Sequence, residues 1–221
     1  MDKEFDINNP QEWENIYIDG DTGWDLGGPT PVFVDIAKDF KAGNICILGC
    51  GYGYDAIMFS EQGFSVTAVD FAPSPINYII KKAAELSLNI NTVQENIFSL
   101  THDHDNQFDY VIEQTCFCAI NPNNRKKYHN LVSRLLRPGG LMIGLWYPLD
   151  KKLSEGGPAF GVSENEIKKL FNNGWETIEE RFQKQEHALI EAPIRLAQRN
   201  SSENAVSSGY IWQLLKKWPI R

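Results

Sequence analysis

The chain has 221 residues and a formal net charge of −8, with 42% hydrophobic and 12% aromatic residues. The excess of acidic residues argues against binding to nucleic acids or to membrane surfaces, because both depend on clustered Lys and Arg. At this length we expect residues 1–221 to form a single domain that buries a large core without disulfide bonds. We therefore expect a monomer whose partner is a small molecule.

The N-terminus and the cysteines together predict a cytoplasmic protein. Residues 1–10 are polar and acidic and contain neither the basic start nor the apolar stretch of a secretory signal. No apolar run in the sequence approaches the roughly 18 residues that span a bilayer. Cys46, Cys50, Cys116 and Cys118 have no disulfide-framework spacing, so we expect reduced thiols that pack as small hydrophobic side chains.

Two helices are predicted in residues 1–40, which we expect to form an N-terminal lid and a following helix. The first covers Gln11–Tyr17, where apolar side chains recur at helical spacing, and a loop rich in Gly and Asp ends it. The second runs from Pro31 to about Phe40, with Thr30 as its N-cap and proline at its first position.

From residue 44 onward, short apolar runs alternate with helical segments. The predicted strands are Asn44–Leu48, Ser65–Val69, Ile90–Val93, Tyr110–Ile112 and Leu141–Trp146. The predicted helices are Ala56–Glu61, Pro75–Leu86, Asn123–Leu136 and Glu164–Asn172. Buried strands joined by helical crossovers predict an α/β fold with a doubly wound, mostly parallel sheet. Ligands of such a sheet bind at the carboxyl ends of its strands.

Two further strands are predicted near the C-terminus, at Trp175–Gln183 and Tyr210–Lys217. Between them, Lys184–Ser208 is polar and rich in Ser, Asn and Gln, which predicts a long connection. No internal repeat or low-complexity tract interrupts this order, so one domain remains the expectation.

A glycine loop follows the first buried strand, with the sequence Gly49-Cys-Gly51-Tyr-Gly53-Tyr-Asp55. Alternate glycines let the backbone approach a ligand closely, and the N-terminus of the next helix offers free N–H groups. Asp70, which ends the second strand, is an acceptor suited to ribose hydroxyls. Both features fit a nucleotide-like cofactor, and on their own they leave NAD and S-adenosylmethionine open.

Three segments further along the chain separate these cofactors: Glu95–Phe98 after the third strand, Gln107–Ile112 at the fourth and Leu135–Leu141 before the fifth. Together they resemble class I S-adenosylmethionine-dependent methyltransferases, which have a Rossmann-like sheet. A second set of segments is specific by its order and spacing: Trp13-Glu14, Gly23–Gly27, Thr30-Pro31, the glycine loop with Asp55, Phe117–Pro122 with Arg125 and Tyr128, Tyr147-Pro148, Gly156–Phe160 and Val162-Ser163. Through these, from about Trp13 to Trp175, the chain resembles the thiopurine S-methyltransferase-like family, including its thiol and halide methyltransferase branch. The resemblance implies methyl transfer from S-adenosylmethionine to a small soft nucleophile, namely a thiol, thiopurine or halide.

The resemblance also implies a cofactor site. Its residues are Trp13, Trp24, Gly49, Gly51, Gly53, Asp55, Asp70, Asn96, Ile97 and Glu113. In this set the glycines lie against the methionine part, Asp70 binds the ribose, and Asn96 and Ile97 meet the adenine. The two tryptophans close over the sulfonium, whose positive charge an aromatic face attracts, or pin the N-terminal helix as core residues, and both roles are compatible.

The acceptor side departs from the family pattern. Glu113-Gln114-Thr115 follows the fourth strand. At these positions the resemblance implies Asp-Arg-Gly for the thiopurine branch and Asp-Tyr-Thr for the halide and thiol branch. The identity of the methyl acceptor therefore does not follow from the resemblance to either branch. We expect Glu113, Gln114 and Tyr147 to be the catalytic residues, with Glu113 orienting the cofactor amino group. The expected substrate residues are Phe117, Gln114, Tyr147 and Phe160.

A loop after the fifth predicted strand completes the expected site. In-line methyl transfer depends on alignment and exclusion of water, and no dedicated base is obligatory. The loop Leu149–Val162 contains three glycines and is predicted to be a lid. We expect it to cover the acceptor together with Trp13, Trp24 and Phe117.

Two alternatives from other classes stay open on the sequence. The glycine pattern and Asp70 also fit a nicotinamide-dependent oxidoreductase, and the departure at Gln114 also fits a non-catalytic cofactor-binding module. No metal site is expected, because His102–Asp105 lies in a polar connection and Cys116 and Cys118 have no partner pair at zinc spacing. The sequence also has no Gly-X-Ser-X-Gly elbow of a serine hydrolase.

Overall fold

The computed structural model describes residues 5–149, 151–184 and 209–217. The helices are α1 (Pro10–Asp19), α2 (Pro31–Ala37), α3 (Tyr54–Glu61), α4 (Pro73–Leu86), α5 (Arg125–Leu135) and α6 (Glu164–Leu170). The strands are β1 (Asn44–Leu48), β2 (Ser65–Asp70), β3 (Ile90–Gln94), β4 (Phe108–Gln114), β5 (Leu136–Trp146), β6 (Trp175–Lys184) and β7 (Gly209–Lys217). Short 3-10 helices lie at Ile97–Ser99, His102–His104, Pro122–Asn124 and Leu153–Glu155.

The strands of the described residues form one sheet in the order β3-β2-β1-β4-β5-β7-β6. Strands β1 to β5 run parallel, whereas β7 is antiparallel to both β5 and β6. Because the strand order reverses between β1 and β4, a crevice for ligands is expected there, at the carboxyl ends of the strands. The predicted α/β class, the doubly wound Rossmann-like sheet and the N-terminal helix are confirmed.

Alternate residues of β1 contribute to two cores, one on each face of the sheet. Ile45 and Ile47 pack with residues of α2, α3 and α4, whereas Cys46 and Leu48 pack with residues of α5 and the α6 region. Burial on both faces explains why these strands are continuous apolar runs in the sequence. The helices on both faces thereby fix the carboxyl ends of the central strands, where the site is built.

Several boundaries differ from the predicted ones. Helix α3 begins two residues early, at Tyr54, because Gly53 adopts a left-handed conformation as its N-cap. Strand β5 begins at Leu136, five residues early, since Leu136 already pairs with Phe108 before a register shift. Helices α2 and α6 end before their predicted ends, and α5 begins after a 3-10 turn.

The predicted polar connection Lys184–Ser208 lies outside the described residues, apart from Lys184, with which β6 ends. Within the described part of the chain, no helix combines the length and the apolar character needed to cross a membrane. The assignment of residues 1–221 to one domain stays a prediction.

Lys217, at the end of β7, holds the C-terminus of α5 through a buried ammonium group. The residue is 7% exposed, and its Nζ donates to the carbonyl oxygens of Ser133 and Leu136, both at 2.6 Å. Replacing Lys217 with methionine is expected to lower the free energy of unfolding by about 2–4 kcal/mol, because two carbonyls lose a charged donor. Chemical denaturation measures this loss. Lys216→Met, on the other face of β7, is the control, and equal losses in both variants would contradict the prediction.

Candidate active site

The site lies where five neighbouring parallel strands end. Gly49 follows β1, Asp70 ends β2 and Asn96 lies two residues beyond β3. Gln114 ends β4, and Tyr147 comes directly after β5. The structure therefore brings these five sequence-predicted residues to one edge of the sheet.

Asp70 holds the glycine loop in shape. One of its carboxylate oxygens accepts a hydrogen bond from the Gly51 N–H at 2.9 Å, and the other accepts from the Ala72 N–H at 3.0 Å. Burial raises the pKa of the Asp70 carboxyl, and these backbone donors oppose the rise. All three loop glycines have positive φ, and a Cβ added at Gly49 would lie 2.9 Å from the Cys116 Sγ. The backbone conformation of the loop therefore favours glycine, and at Gly49 there is also no room for a side chain.

Helix α1 is fastened to α4 by Glu14. Its carboxylate accepts hydrogen bonds from the Ser74 backbone N–H at 2.9 Å and from the Ser74 hydroxyl at 2.5 Å. The N-cap residue of α4 is Ala72, which has no side-chain acceptor. Glu14 therefore caps α4 from another helix and fixes α1 beside the glycine loop.

An aromatic cluster lies between α1 and the glycine loop. Trp13 and Tyr17 are buried and both contact Trp24 edge-on, at ring-centroid distances of 5.7 and 5.8 Å. Tyr17 also contacts Tyr52 at 5.3 Å, and its hydroxyl lies 3.3 Å from the Cβ position of Gly51. Both tryptophans thus pin the N-terminal segment, and their contact with a sulfonium stays a prediction.

A cavity of about 290 Å³ opens beside this cluster. It is lined by Pro10, Gln11, Glu14, Phe71, Pro73, Gln94, Glu95 and Asn96. The Asn96 side-chain oxygen accepts a hydrogen bond from the Phe98 N–H at 2.9 Å, whereas Ile97 is buried in the adjoining core. The cavity is therefore bounded by α1 and the carboxyl ends of β2 and β3, where the nucleoside part of a cofactor is expected.

Asp55 connects α3 to α2. One carboxylate oxygen accepts from the Thr30 N–H at 2.7 Å, and the other accepts from the Thr30 hydroxyl at 2.9 Å. Thr30 is the N-cap of α2 as predicted, but its hydroxyl donates to Asp55 and does not cap the helix. Burial raises the pKa of Asp55 to about 6. The contacts of Asp55 link two helices, and its contact with a cofactor stays a prediction.

Glu113, near the end of β4, is 1% exposed and supports the loop that follows. One of its oxygens accepts from the Phe117 N–H at 2.7 Å and from the Tyr128 hydroxyl at 3.2 Å. Burial raises the pKa of Glu113 to about 8, although these donors and the nearby Arg125 oppose the rise. The carboxyl is therefore largely protonated at neutral pH, and the loop after β4 is hydrogen-bonded to a neutral carboxylic acid.

The four predicted acceptor residues differ in exposure. Phe117 is 1% exposed and packs edge-on against Tyr128 and Trp146, at 5.3 and 5.2 Å. Its ring is enclosed by the core below the site, so its contact with an acceptor stays a prediction. Gln114, Tyr147 and Phe160 are half-buried, and their contact with an acceptor stays a prediction.

Sequence reasoning did not single out Glu14 and Tyr17 as site residues. Tyr17 lies one helical turn after Trp13, so the periodicity of α1 already placed both on one face. Glu14 had no local signal, because its partner Ser74 is 60 positions away. Its role depends on how α1 packs against α4.

The His102–Asp105 segment has ordinary polar contacts. It contains a short 3-10 helix, and Asp105 pairs with both His102 and Arg134. In residues 5–149, 151–184 and 209–217, no group of three or more His, Cys, Asp or Glu side chains is arranged to hold a metal ion.

Known proteins similar in sequence point to one family. The sequence model of thiopurine S-methyltransferase matches residues 8–197. The probable thiol methyltransferase 2 of Arabidopsis thaliana is 32% identical over 176 residues, which cover 77% of this chain and 76% of that protein. The thiopurine S-methyltransferase of Bos taurus is 24% identical over 185 residues, which cover 74% of this chain and 75% of that protein.

Solved structures show the same fold. The 1,6-didemethyltoxoflavin-N1-methyltransferase of Burkholderia thailandensis, solved with 1,6-didemethyltoxoflavin and S-adenosylhomocysteine, has a TM-score of 0.70 at 19% identity. The similarity covers 95% of this chain and 87% of that one. The match of the family model over residues 8–197, most of the chain, identifies the family as well as the fold. The chain belongs to the thiopurine S-methyltransferase family and is an S-adenosylmethionine-dependent methyltransferase.

Proposed function

We propose that this methyltransferase acts on a small soft nucleophile, with thiols, thiopurines and halides as its acceptor classes. The family match over residues 8–197 carries the proposal, and the relatives named for thiols and thiopurines support these classes. The glycine loop alone left NAD and S-adenosylmethionine open. Membership of this family favours S-adenosylmethionine, and therefore methyl transfer over hydride transfer. The acceptor itself is left to experiment because of the departure at Gln114.

The residues of the site fit S-adenosylmethionine, which supplies a methyl group on a positively charged sulfur. The three glycines of the loop carry no side chain that would meet the methionine part, and the cavity beside α1 offers space for the nucleoside. We assign the methionine part to Gly49, Gly51 and Gly53 and the ribose to Asp70. Asn96 and Ile97 are assigned to the adenine. Asp55 and Glu113 complete the proposed cofactor set.

The aromatic cluster and the acceptor residues supply alignment and exclude water. Trp13 and Trp24 cover the sulfonium, and an aromatic face stabilises such a cation. Gln114 and Tyr147 orient the acceptor with an amide and a hydroxyl, and Phe160 forms an apolar wall. Alignment of two reactants accounts for up to roughly 7–11 kcal/mol of a barrier in favourable cases.

Protonation of Glu113 suits an anionic nucleophile. A thiol with a pKa of about 8.5 already provides a few per cent of thiolate at neutral pH, and a halide needs no deprotonation. A buried carboxylate near such an anion would repel it, whereas the neutral acid does not. Glu113 therefore positions the loop after β4, and we propose that it also orients the cofactor amino group.

We also propose that the protein is a cytoplasmic monomer. All four cysteines are free thiols, two of them fully enclosed in the core, which fits a reducing compartment. Light scattering coupled to size-exclusion chromatography measures the oligomeric state.

A panel of acceptors tests the proposed function. We expect S-adenosylhomocysteine to form with at least one of hydrogen sulfide, a small aliphatic thiol, a thiopurine and iodide, and not without acceptor. A metalloid oxyanion is the comparison outside these classes, and turnover with it alone would contradict them. Binding of S-adenosylmethionine in calorimetry without any turnover would identify a non-catalytic module. Binding of NAD(P)H with no response to S-adenosylmethionine would overturn the proposal.

A further inference from the structure

Arg125, at the start of α5, is a buried arginine that reaches a distant part of the chain. The residue is 3% exposed. Its Nη1 donates to the Glu166 carboxylate at 2.6 Å, and its Nη2 donates to the Gly161 carbonyl at 2.9 Å. Its Nε–H meets no acceptor among the described residues. The hydrogen bonds of this guanidinium therefore all go to the connection between β5 and α6 and to α6 itself.

The same guanidinium also lies over an aromatic ring of the loop after β4. Its Cζ is 4.8 Å from the centroid of the Phe117 ring. The next residue, Cys118, accepts a hydrogen bond from the Phe160 N–H at 2.7 Å. Arg125 thus contacts both sides of the junction where these two segments meet. A planar fork can stack and donate twice at once, which a lysine cannot do.

The segment Ala159–Gly161 is confined on its other sides. Lys151 donates from Nζ to the Ala159 carbonyl at 2.6 Å. A Cβ at Gly161 would lie 1.9 Å from the Lys151 carbonyl oxygen, and a Cβ at Gly157 would lie 2.6 Å from the Phe160 ring. The backbone on both sides of Phe160 is therefore fixed by hydrogen bonds and by close packing that only glycine allows.

The junction is continuous with the cofactor loop. Cys116, two residues before Cys118, packs directly on Gly49. We propose that Arg125 is a positioning residue, which sets Phe160 and the acceptor side against the cofactor loop by joining Glu166 and Gly161 to Phe117. The proposal rests on the proposed function, since it assumes that Phe160 borders an acceptor.

The variant Arg125→Met tests this role. We expect hydrogen exchange at the Phe160 amide to rise about 10- to 100-fold, because hydrogen bonds to a charged group are lost. We expect kcat/KM for the acceptor to fall by a similar factor of about 10 to 100, while the affinity for S-adenosylmethionine stays unchanged. Glu166→Ala removes one of the two bonds and is expected to have a smaller effect in the same direction. Glu166→Gln keeps an acceptor oxygen and is expected to restore most of the protection.

Lys127→Met, on an exposed position of the same helix, is the control and is expected to change neither measurement. Unchanged exchange at Phe160 together with an unchanged kcat/KM for the acceptor in Arg125→Met would overturn the proposal. If that variant does not fold, the pair Glu166→Ala and Glu166→Gln decides the question by the same two measurements. A wild-type protein without turnover would contradict the proposed function, while exchange at Phe160 would still test the contact made by Arg125.

Discussion

Replacing Asp70 with asparagine is expected to weaken S-adenosylmethionine binding by about 100-fold or more, because charge-assisted hydrogen bonds are lost. The carboxylate accepts from both the Gly51 and the Ala72 N–H groups. An amide offers one acceptor oxygen, so one of these donors would face an NH2 group. The glycine loop would lose the contact that shapes it, and the ribose would lose its proposed acceptor. Titration calorimetry with S-adenosylmethionine measures the change.

Asp55→Asn is the matched comparison, because Asp55 is also a carboxyl next to the glycine loop, in the first turn of α3. Both of its oxygens accept from Thr30, so this variant is expected to lower the free energy of unfolding by about 1–3 kcal/mol. If Asp55 acts only through Thr30, the affinity for the cofactor stays near that of the wild type. A similar loss of affinity in both variants would support a direct contact of Asp55 with the cofactor. Unchanged affinity in Asp70→Asn would contradict the ribose assignment.

The positions of the strands follow from the sequence, whereas their order does not. Strand β1 is Asn44–Leu48 both as predicted and in the structure, because burial on both faces makes its last four residues a continuous apolar run. The place of β7 between β5 and β6 depends on pairs such as Leu145 with Trp212, which are far apart in the chain. Neither apolar run specifies its neighbour, so the antiparallel pairing of β7 with β5 and β6 could not be predicted from the sequence.

The same difference separates the parts of the site. Gly49 and Asp70 were predictable because a strand end and a local turn place them. The bond of Arg125 to Gly161 joins residues 36 positions apart, and no local pattern marks it. The exposure of Phe117 could not be predicted from the sequence either. Its motif suggests a residue that contacts the acceptor, and only its packing against Trp146 shows that the ring is enclosed.

Glu113→Gln is expected to remove a pH dependence of stability that the wild type shows between about pH 5 and pH 8. The pKa of Glu113 is about 8 in the folded protein, above its ordinary value of 4.5, because burial disfavours the charged form. The folded state therefore keeps a proton that the unfolded state releases. This stability is fully present below pH 4.5 and is lost as the pH rises through 8. The loss is several kcal/mol, at about 1.4 kcal/mol for each unit of pKa.

Denaturation curves of both proteins at several pH values measure this difference. Glutamine stays neutral and can still accept from the Phe117 N–H, so the variant is expected to gain stability relative to the wild type as the pH rises. The Asp55 carboxyl, with a pKa of about 6, adds a slope below pH 6 in both proteins, and the comparison therefore rests on the range above it. Glu61→Gln, at the exposed end of α3, is the control and is expected to follow the wild type. Equal slopes above pH 6 in wild type and Glu113→Gln would mean that Glu113 is ionised in the folded protein, and a nucleophilic anion would then meet a carboxylate below the site.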